Sequence, residues 1–316
     1  MFELFKKKKS GARDESIVVI KKSDPAECGG TDATQDMKAP KEIKSEDMLL
    51  FDVTSSLAGG MAVHAPANKE QPLGFISAFA VSAEKGALLY LKKSAGFGRF
   101  AERSHEIALV SNDVFPALVR LVREYGLAKN NGFHSVTHGL PENFGGSVEI
   151  LYSSGEKISF SNNQFPIISH ETAREIVNVF TDAFGRDKLT FPSADRISEI
   201  RYSEKRKDGG FTEAVLTIAP DGSGINRRRT RFDEPRVYES EKTVDPETIS
   251  AIRKTIEENA MLAWNGLPHD GFNKDDKSVT FVLDGKEEIT VLCGRALPAN
   301  VKDAFFDIEL ELTVKH

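Results

Sequence analysis

One ordered succession of features occurs twice in this chain: a helix cap, an amphipathic helix, an Asn-Gly turn, a two-stranded hairpin and a proline exit. That repetition restricts the available folds more than any single motif. In the clearer copy, 244–300, Asp245 stands where a helix N-cap belongs and Pro246 takes the first helical position, where its missing N–H costs nothing. Ile249, Ile252, Ile256 and Ala260 then fall on one face of a 3.6-residue period. In the other copy, from Val110 to about Ser169, Phe115, Leu118, Val119, Val122 and Tyr125 do the same. Pro116 fits only in a first turn, so Ser111–Asp113 must supply that cap.

Each helix is expected to stop at an Asn-Gly pair, Asn131-Gly132 and Asn265-Gly266, residues that readily take a left-handed backbone. Two strands follow in each copy. Val148, Ile150 and Tyr152 turn through Ser154-Gly155 and return as Ile158 and Phe160. Val279, Phe281 and Leu283 turn through Asp284-Gly285 and return as Ile289 and Val291. Phe165-Pro166 and Leu297-Pro298 lead into last helices capped by Ser169 and Asn300.

Ahead of each helix lie four strand-like runs. Those of the first copy are Met48–Thr54, Leu73–Val81, Gly86–Lys93 and His105–Val110, with Gly59-Gly60 after the first. Ile197–Ser203, Phe211–Ala219, Gly224–Phe232 and Arg236–Thr243 repeat them, with Gly209-Gly210 in the matching place. The sequence thus predicts an α+β fold made of two tandem β-β-β-β-α-β-β-α units. Hairpin connections make the sheet mostly antiparallel, with helices packed on one face. The expected divisions are a disordered tail over 1–46, repeat 1 over 47–185, a linker over 186–196 and repeat 2 over 197–316. The tail is assigned from its Lys, Asp, Glu, Ser and Gly content, which leaves little apolar surface to bury.

A net charge of −6 opposes nucleic-acid binding, which needs a basic face to displace phosphate counterions. Cys28 and Cys293 fit no disulfide framework and no metal-ligand spacing. No run reaches the roughly 18 apolar residues of a transmembrane helix, and Ile17–Ile20 is too short for a signal-peptide core, so a cytoplasmic chain is expected. Phe2, Leu4 and Phe5 followed by Lys6, Lys7, Lys8 and Lys9 form a small tip suited to resting on an anionic membrane surface, although a solvated start is the blander expectation.

The paired glycines, the helix ending in W-N-G or N-N-G-F, the Gly-turn hairpin and the aromatic-or-Leu-Pro exit together resemble an uncharacterised domain common in gut-dwelling Firmicutes. In that family the helix ends in W-(D/N)-G-F. Trp264, Asn265, Gly266 and Leu267 match this pattern, while Lys129 and Asn130 replace the apolar-Trp pair expected before Asn131-Gly132-Phe133. Residues 161–166 and 293–298 match the family's Gly/Ser/Asn-rich turn and F-P exit loosely. The resemblance covers about residues 48–312, implies the same fold and transfers no catalytic residue.

Candidate chemistry is sparse. His134 and His138, four apart, would share a helix face as metal ligands, but Gly132, Gly139 and Pro141 point to an exposed polar loop, and His269 stands alone in the second copy. Arg227, Arg229 and Arg231 alternate along one predicted strand, suited to phosphate contacts but more simply a solvated, aggregation-resistant face. Trp264 is expected to be a core anchor whose indole N–H reaches a turn carbonyl. Gly96-Phe97-Gly98 opens no nucleotide fingerprint, and no nucleophile elbow, phosphate loop or H-E-x-x-H is present. The sequence therefore assigns no catalytic, cofactor-binding or metal-ligating residue. It favours a non-enzymatic binding or scaffold protein that engages a protein or peptide through its sheet or the inter-repeat junction. The alternatives are an enzyme with polar groups gathered at that junction from the loops 134–143 and 269–276, and a membrane-surface adaptor using the N-terminal tip.

Overall fold

The structure, a computed structural model, describes residues 16–24, 29–57, 73–83, 86–95, 102–139, 144–186, 188–206, 208–232, 236–265, 277–293 and 297–314. Among them are four α-helices and fifteen strands in two mostly antiparallel sheets, so the fold is α+β.

The first sheet is built from β1 (Ile17–Lys21), β2 (Thr31–Asp36), β3 (Met48–Ser56), β4 (Leu73–Ala83), β5 (Gly86–Ala95), β6 (Glu102–Val110), β7 (Phe133–Thr137), β8 (Gly146–Tyr152) and β9 (Lys157–Asn162). Their spatial order is β1-β2-β7-β9-β8-β3-β4-β5-β6, and β7 runs parallel to β9. The second sheet contains β10 (Ile197–Lys205), β11 (Phe211–Ile218), β12 (Gly224–Arg231), β13 (Tyr238–Val244), β14 (Lys277–Leu283) and β15 (Glu287–Leu292), ordered β13-β12-β11-β10-β14-β15. The helices are α1 (Val114–Glu124), α2 (His170–Phe184), α3 (Pro246–Glu258) and α4 (Ala299–Thr313).

Local sequence accounts for most of these elements. The Asp245 carboxylate accepts from Thr248 N at 2.8 Å and starts α3 with Pro246 in its first turn, and Ser169 Oγ accepts from Thr172 N at 3.0 Å to start α2. Asp284 and Gly285, at φ 50° and 71°, make the tight turn between β14 and β15, a geometry matching strand twist. Helices cover one face of the second sheet. Ile249, Ile252 and Ile256 of α3 and Val301, Ala304, Phe305 and Ile308 of α4 are buried together with Ile200, Tyr202, Ala214, Leu216, Val279 and Phe281 of the strands. Asn226 Nδ2, buried on β12, donates to Leu312 O and pins the end of α4 at 2.9 Å.

Four features depart from expectation. The segment 1–46, expected to be disordered, contributes β1 and β2 to the first sheet; β2 pairs with β7 from Thr31↔Thr137 to Gln35↔Phe133, a partner a hundred residues away that no local pattern announces. The His134 region is a strand rather than a loop, because β7 is held between β2 and β9. The helices stop before the Asn-Gly pairs: Gly126 (φ 60°) ends α1 and Ala260 (φ 48°) ends the turn after α3, each leading into a short 3-10 turn and then Asn131 or Asn265. Finally, Pro298, not Asn300, occupies the cap of α4, and Asn300 lies within the helix with its amide donating to Asn259 Oδ1.

The chain divides into two compact units. One comprises residues 1–78, 92–104 and 115–178, and the other residues 79–91, 105–114 and 179–316.

Candidate functional site

Two asparagines, Asn131 and Asn265, make the corners that follow the short 3-10 turns. Asn131 is buried, and its amide is fully used: Oδ1 accepts from Ser159 N at 2.7 Å, while Nδ2 donates to Pro40 O at 2.9 Å and Lys157 O at 2.8 Å. Gly132 follows at φ 81°, where an added Cβ would lie 2.7 Å from Ala39 Cβ and 2.9 Å from Asp36 O. Asn265 is exposed, and its Oδ1 accepts from Thr290 N at 3.0 Å. Ser159 and Thr290 occupy the same place in their hairpins, one residue after Ile158 and Ile289. Trp264 is wholly buried with its ring 5.4 Å from that of Phe79, but its N–H makes no hydrogen bond among the described residues, unlike the turn contact expected of it. These residues shape the fold. Gly266, His269 and the tip Phe2, Leu4, Phe5 and Lys6–Lys9 lie outside the described residues.

The two histidines are not brought together as ligands. His134 Nδ1 lies 2.9 Å from Ser161 Oγ, and burial, with Lys157 nearby, lowers its pKa against an opposing pull from Glu149. His138 Nε2 lies 3.2 Å from Asp32 Oδ2. Asp32 Oδ1 accepts from Ser23 N at 2.8 Å and from Ser23 Oγ at 3.0 Å. The Ser23 amide, His138 and the Ser23 hydroxyl hold that carboxyl below its ordinary value. Among the described residues no three His, Cys, Asp or Glu side chains gather as a metal site.

Arg227 and Arg229 project from the sheet face opposite α4 and are answered across the strands. Arg227 Nε donates to Glu241 at 2.8 Å, and Arg229 Nε to Glu239 at 3.1 Å with Glu213 also 3.7 Å away. Arg231 donates to Gly209 O and stacks over Phe211. Exposed pairs like these contribute a few tenths of a kcal/mol each, about 0.2–1 at most, and leave little unbalanced charge for a phosphate.

One ionic cluster, which no sequence motif announced, sits between sheet and helix. Lys277 Nζ lies 2.8 Å from Glu309 Oε1 and 3.5 Å from Glu204, and Tyr202 Oη donates to Glu309 Oε1 at 2.8 Å. Burial alone would lower the Lys277 ammonium, but Glu309 and Glu204 outweigh it and raise it. Burial and Glu309 together push the Tyr202 phenol up. The ammonium is thus kept charged and the phenol neutral, which ties α4 to β10 and β14 and disfavours both as proton-transfer groups.

The strand edges differ more sharply. At β6, Glu102, Arg103, His105 and Glu106 are exposed; at β13, Glu239, Glu241 and Lys242; at β15, Glu287 and Glu288. Charged edges repel stray strands. β1 instead carries Ile17, Val19 and Ile20 at 54%, 59% and 45% exposure, on a strand whose described partner is β2 alone. Ile17 and Val19 share a face, opposite Asp36 and Thr34, while Val18 points to the other face opposite Gln35. The sequence signal for this edge was four β-branched residues in succession, too short for a membrane signal but long enough for a strand.

No protein-family model matches the chain, and no curated protein matches it. No helix among the described residues is long and apolar enough to cross a membrane.

Proposed function

We propose that the protein is a non-enzymatic binding or scaffold protein that engages an extended segment of a protein or peptide through the β1 edge of its first sheet. The observation that carries this is the contrast among edges: β6, β13 and β15 bear charges, whereas β1 bears exposed Ile17, Val19 and Ile20. An added strand gains main-chain hydrogen bonds along such an edge and buries alternate side chains. The test is amide exchange in dilute protein with and without a synthetic Thr-Val-Thr-Val-Thr peptide. Slowed exchange at Val18–Ile20 is expected, and unchanged exchange there at saturating peptide overturns the proposal.

The chain is also one α+β unit written twice. Supporting this, β9-β8-β3-β4-β5-β6 and β15-β14-β10-β11-β12-β13 follow the same chain order, with a helix before and after each hairpin. Gly126 and Ala260 each take φ > 0 five residues before an asparagine, and each asparagine accepts from the equivalent hairpin N–H.

A further inference from the structure

We infer that the β1 edge is occupied by a second copy of this chain, joined antiparallel through β1 about a two-fold axis at Val18. This rests on the edge-binding function proposed above and names its partner. A two-fold axis relating neighbouring antiparallel strands stands perpendicular to the sheet, so residues facing each other across it must share a sheet face. Because faces alternate along a strand, such an axis passes through a residue position and not between two residues.

Centred on Val18, the pairing sets Ile17 against the partner's Val19, Val19 against the partner's Ile17, and Val18 against its own copy. All of these contacts are apolar and β-branched, the side chains that pair best across strands. Ile17 and Val19 of both copies then cover one another on the face where each now meets solvent. Centred on Val19, the pairing would instead oppose Ile17 to the partner's Lys21 and would run through the bulge, since the ladder to β2 slips between Val19 and Lys21. Charge agrees with the first register. Lys21 and Lys22, at the end of the strand, fall at opposite ends of the antiparallel pair and do not face their own copies.

The test is sedimentation equilibrium of the full chain, with three variants. Wild type is expected to dimerise, and the double variant Ile17→Glu with Val19→Glu, which gathers four carboxylates at the axis, to dissociate at least about 100-fold more readily (about 2.7 kcal/mol). Both positions are exposed, so unchanged circular dichroism should accompany the loss. Mixing that variant with Ile17→Lys, Val19→Lys should restore a heterodimer. Val18→Cys should cross-link to itself, located by peptide mass mapping, because directly opposed strand residues lie within disulfide reach.

A wild type that stays monomeric overturns the second-copy proposal. Slowed exchange at Val18–Ile20 with the Thr-Val peptide would then leave the edge-binding function standing, and its absence would remove both. A dimer indifferent to the charge variants and lacking the Val18→Cys link overturns the proposal as well.

Discussion

Asn131 and Asn265 each accept an N–H from the return strand of a hairpin, Ser159 N and Thr290 N, yet their surroundings divide the anchoring differently. At the first corner the amide itself is the anchor: Asn131 is buried and also holds Pro40 and Lys157, while Asn130 before it is exposed. At the second, the preceding residue takes that part. Trp264 is wholly buried against Phe79, and Asn265 stays exposed, its side chain accepting from Thr290 N among the described residues. A shared backbone geometry has been secured once by hydrogen bonds and once by apolar area. The amide is buried where it holds Pro40 and Lys157, and the indole where it packs against Phe79.

The largest effect should come from Trp264→Ala. Removing a wholly buried indole should cost about 4 kcal/mol in denaturant unfolding. A loss below about 1 kcal/mol would break the idea that this corner is anchored by apolar burial. Asn131→Ala comes next, at about 3 kcal/mol, because it strands Ser159 N, Pro40 O and Lys157 O without their partners. Asn265→Ala should cost only about 1 kcal/mol, since water can replace the amide at an exposed site. Equal losses for the two asparagines would erase the contrast.

The smallest effect concerns pH at the β1–β2 connection. Asp32, held below its ordinary pKa, stabilises the fold above the unfolded carboxyl value of about 3.9, and that contribution disappears as pH falls through the lower folded value. The protection of the Ser23 amide, taken against its intrinsic exchange rate at each pH, should therefore fall below about pH 4, and Asp32→Asn should lower it at neutral pH. Equal protection of Ser23 in the variant and the parent chain would dismiss the carboxylate as the clasp.

Legibility followed the distance between partners. The Asp245 cap, the Ser169 cap and the Asp284-Gly285 turn were readable because each is settled within a few residues. The helix stops were misplaced because Ala260 gives no hint of a left-handed backbone, and the nearby Asn-Gly pairs offered a more obvious candidate. β2 and β7 stay hidden because polar residues mask strands whose pairing is settled far along the chain. Of the candidate side chains, the Arg227 and Arg229 alternation was visible, but their acidic answers on neighbouring strands were not. The β1 edge is visible as four β-branched residues, but its polar surroundings read as a tail because its partner β2 is itself polar.

The attachment of β7 to β9 is narrow: two matched positions, His134↔Ser161 and Ser135↔Asn162. Asn163 braces its far end by accepting from Thr137 N and donating to Thr137 O, as Asn131 braces the near end. So short a seam makes β1, β2 and β7 a natural cooperative opening unit, able to lift away while the other strands of the sheet stay closed. Whatever sits on β1 would then travel with that unit, so two amide side chains well away from the contact set how firmly the occupant is tied to the rest of the sheet.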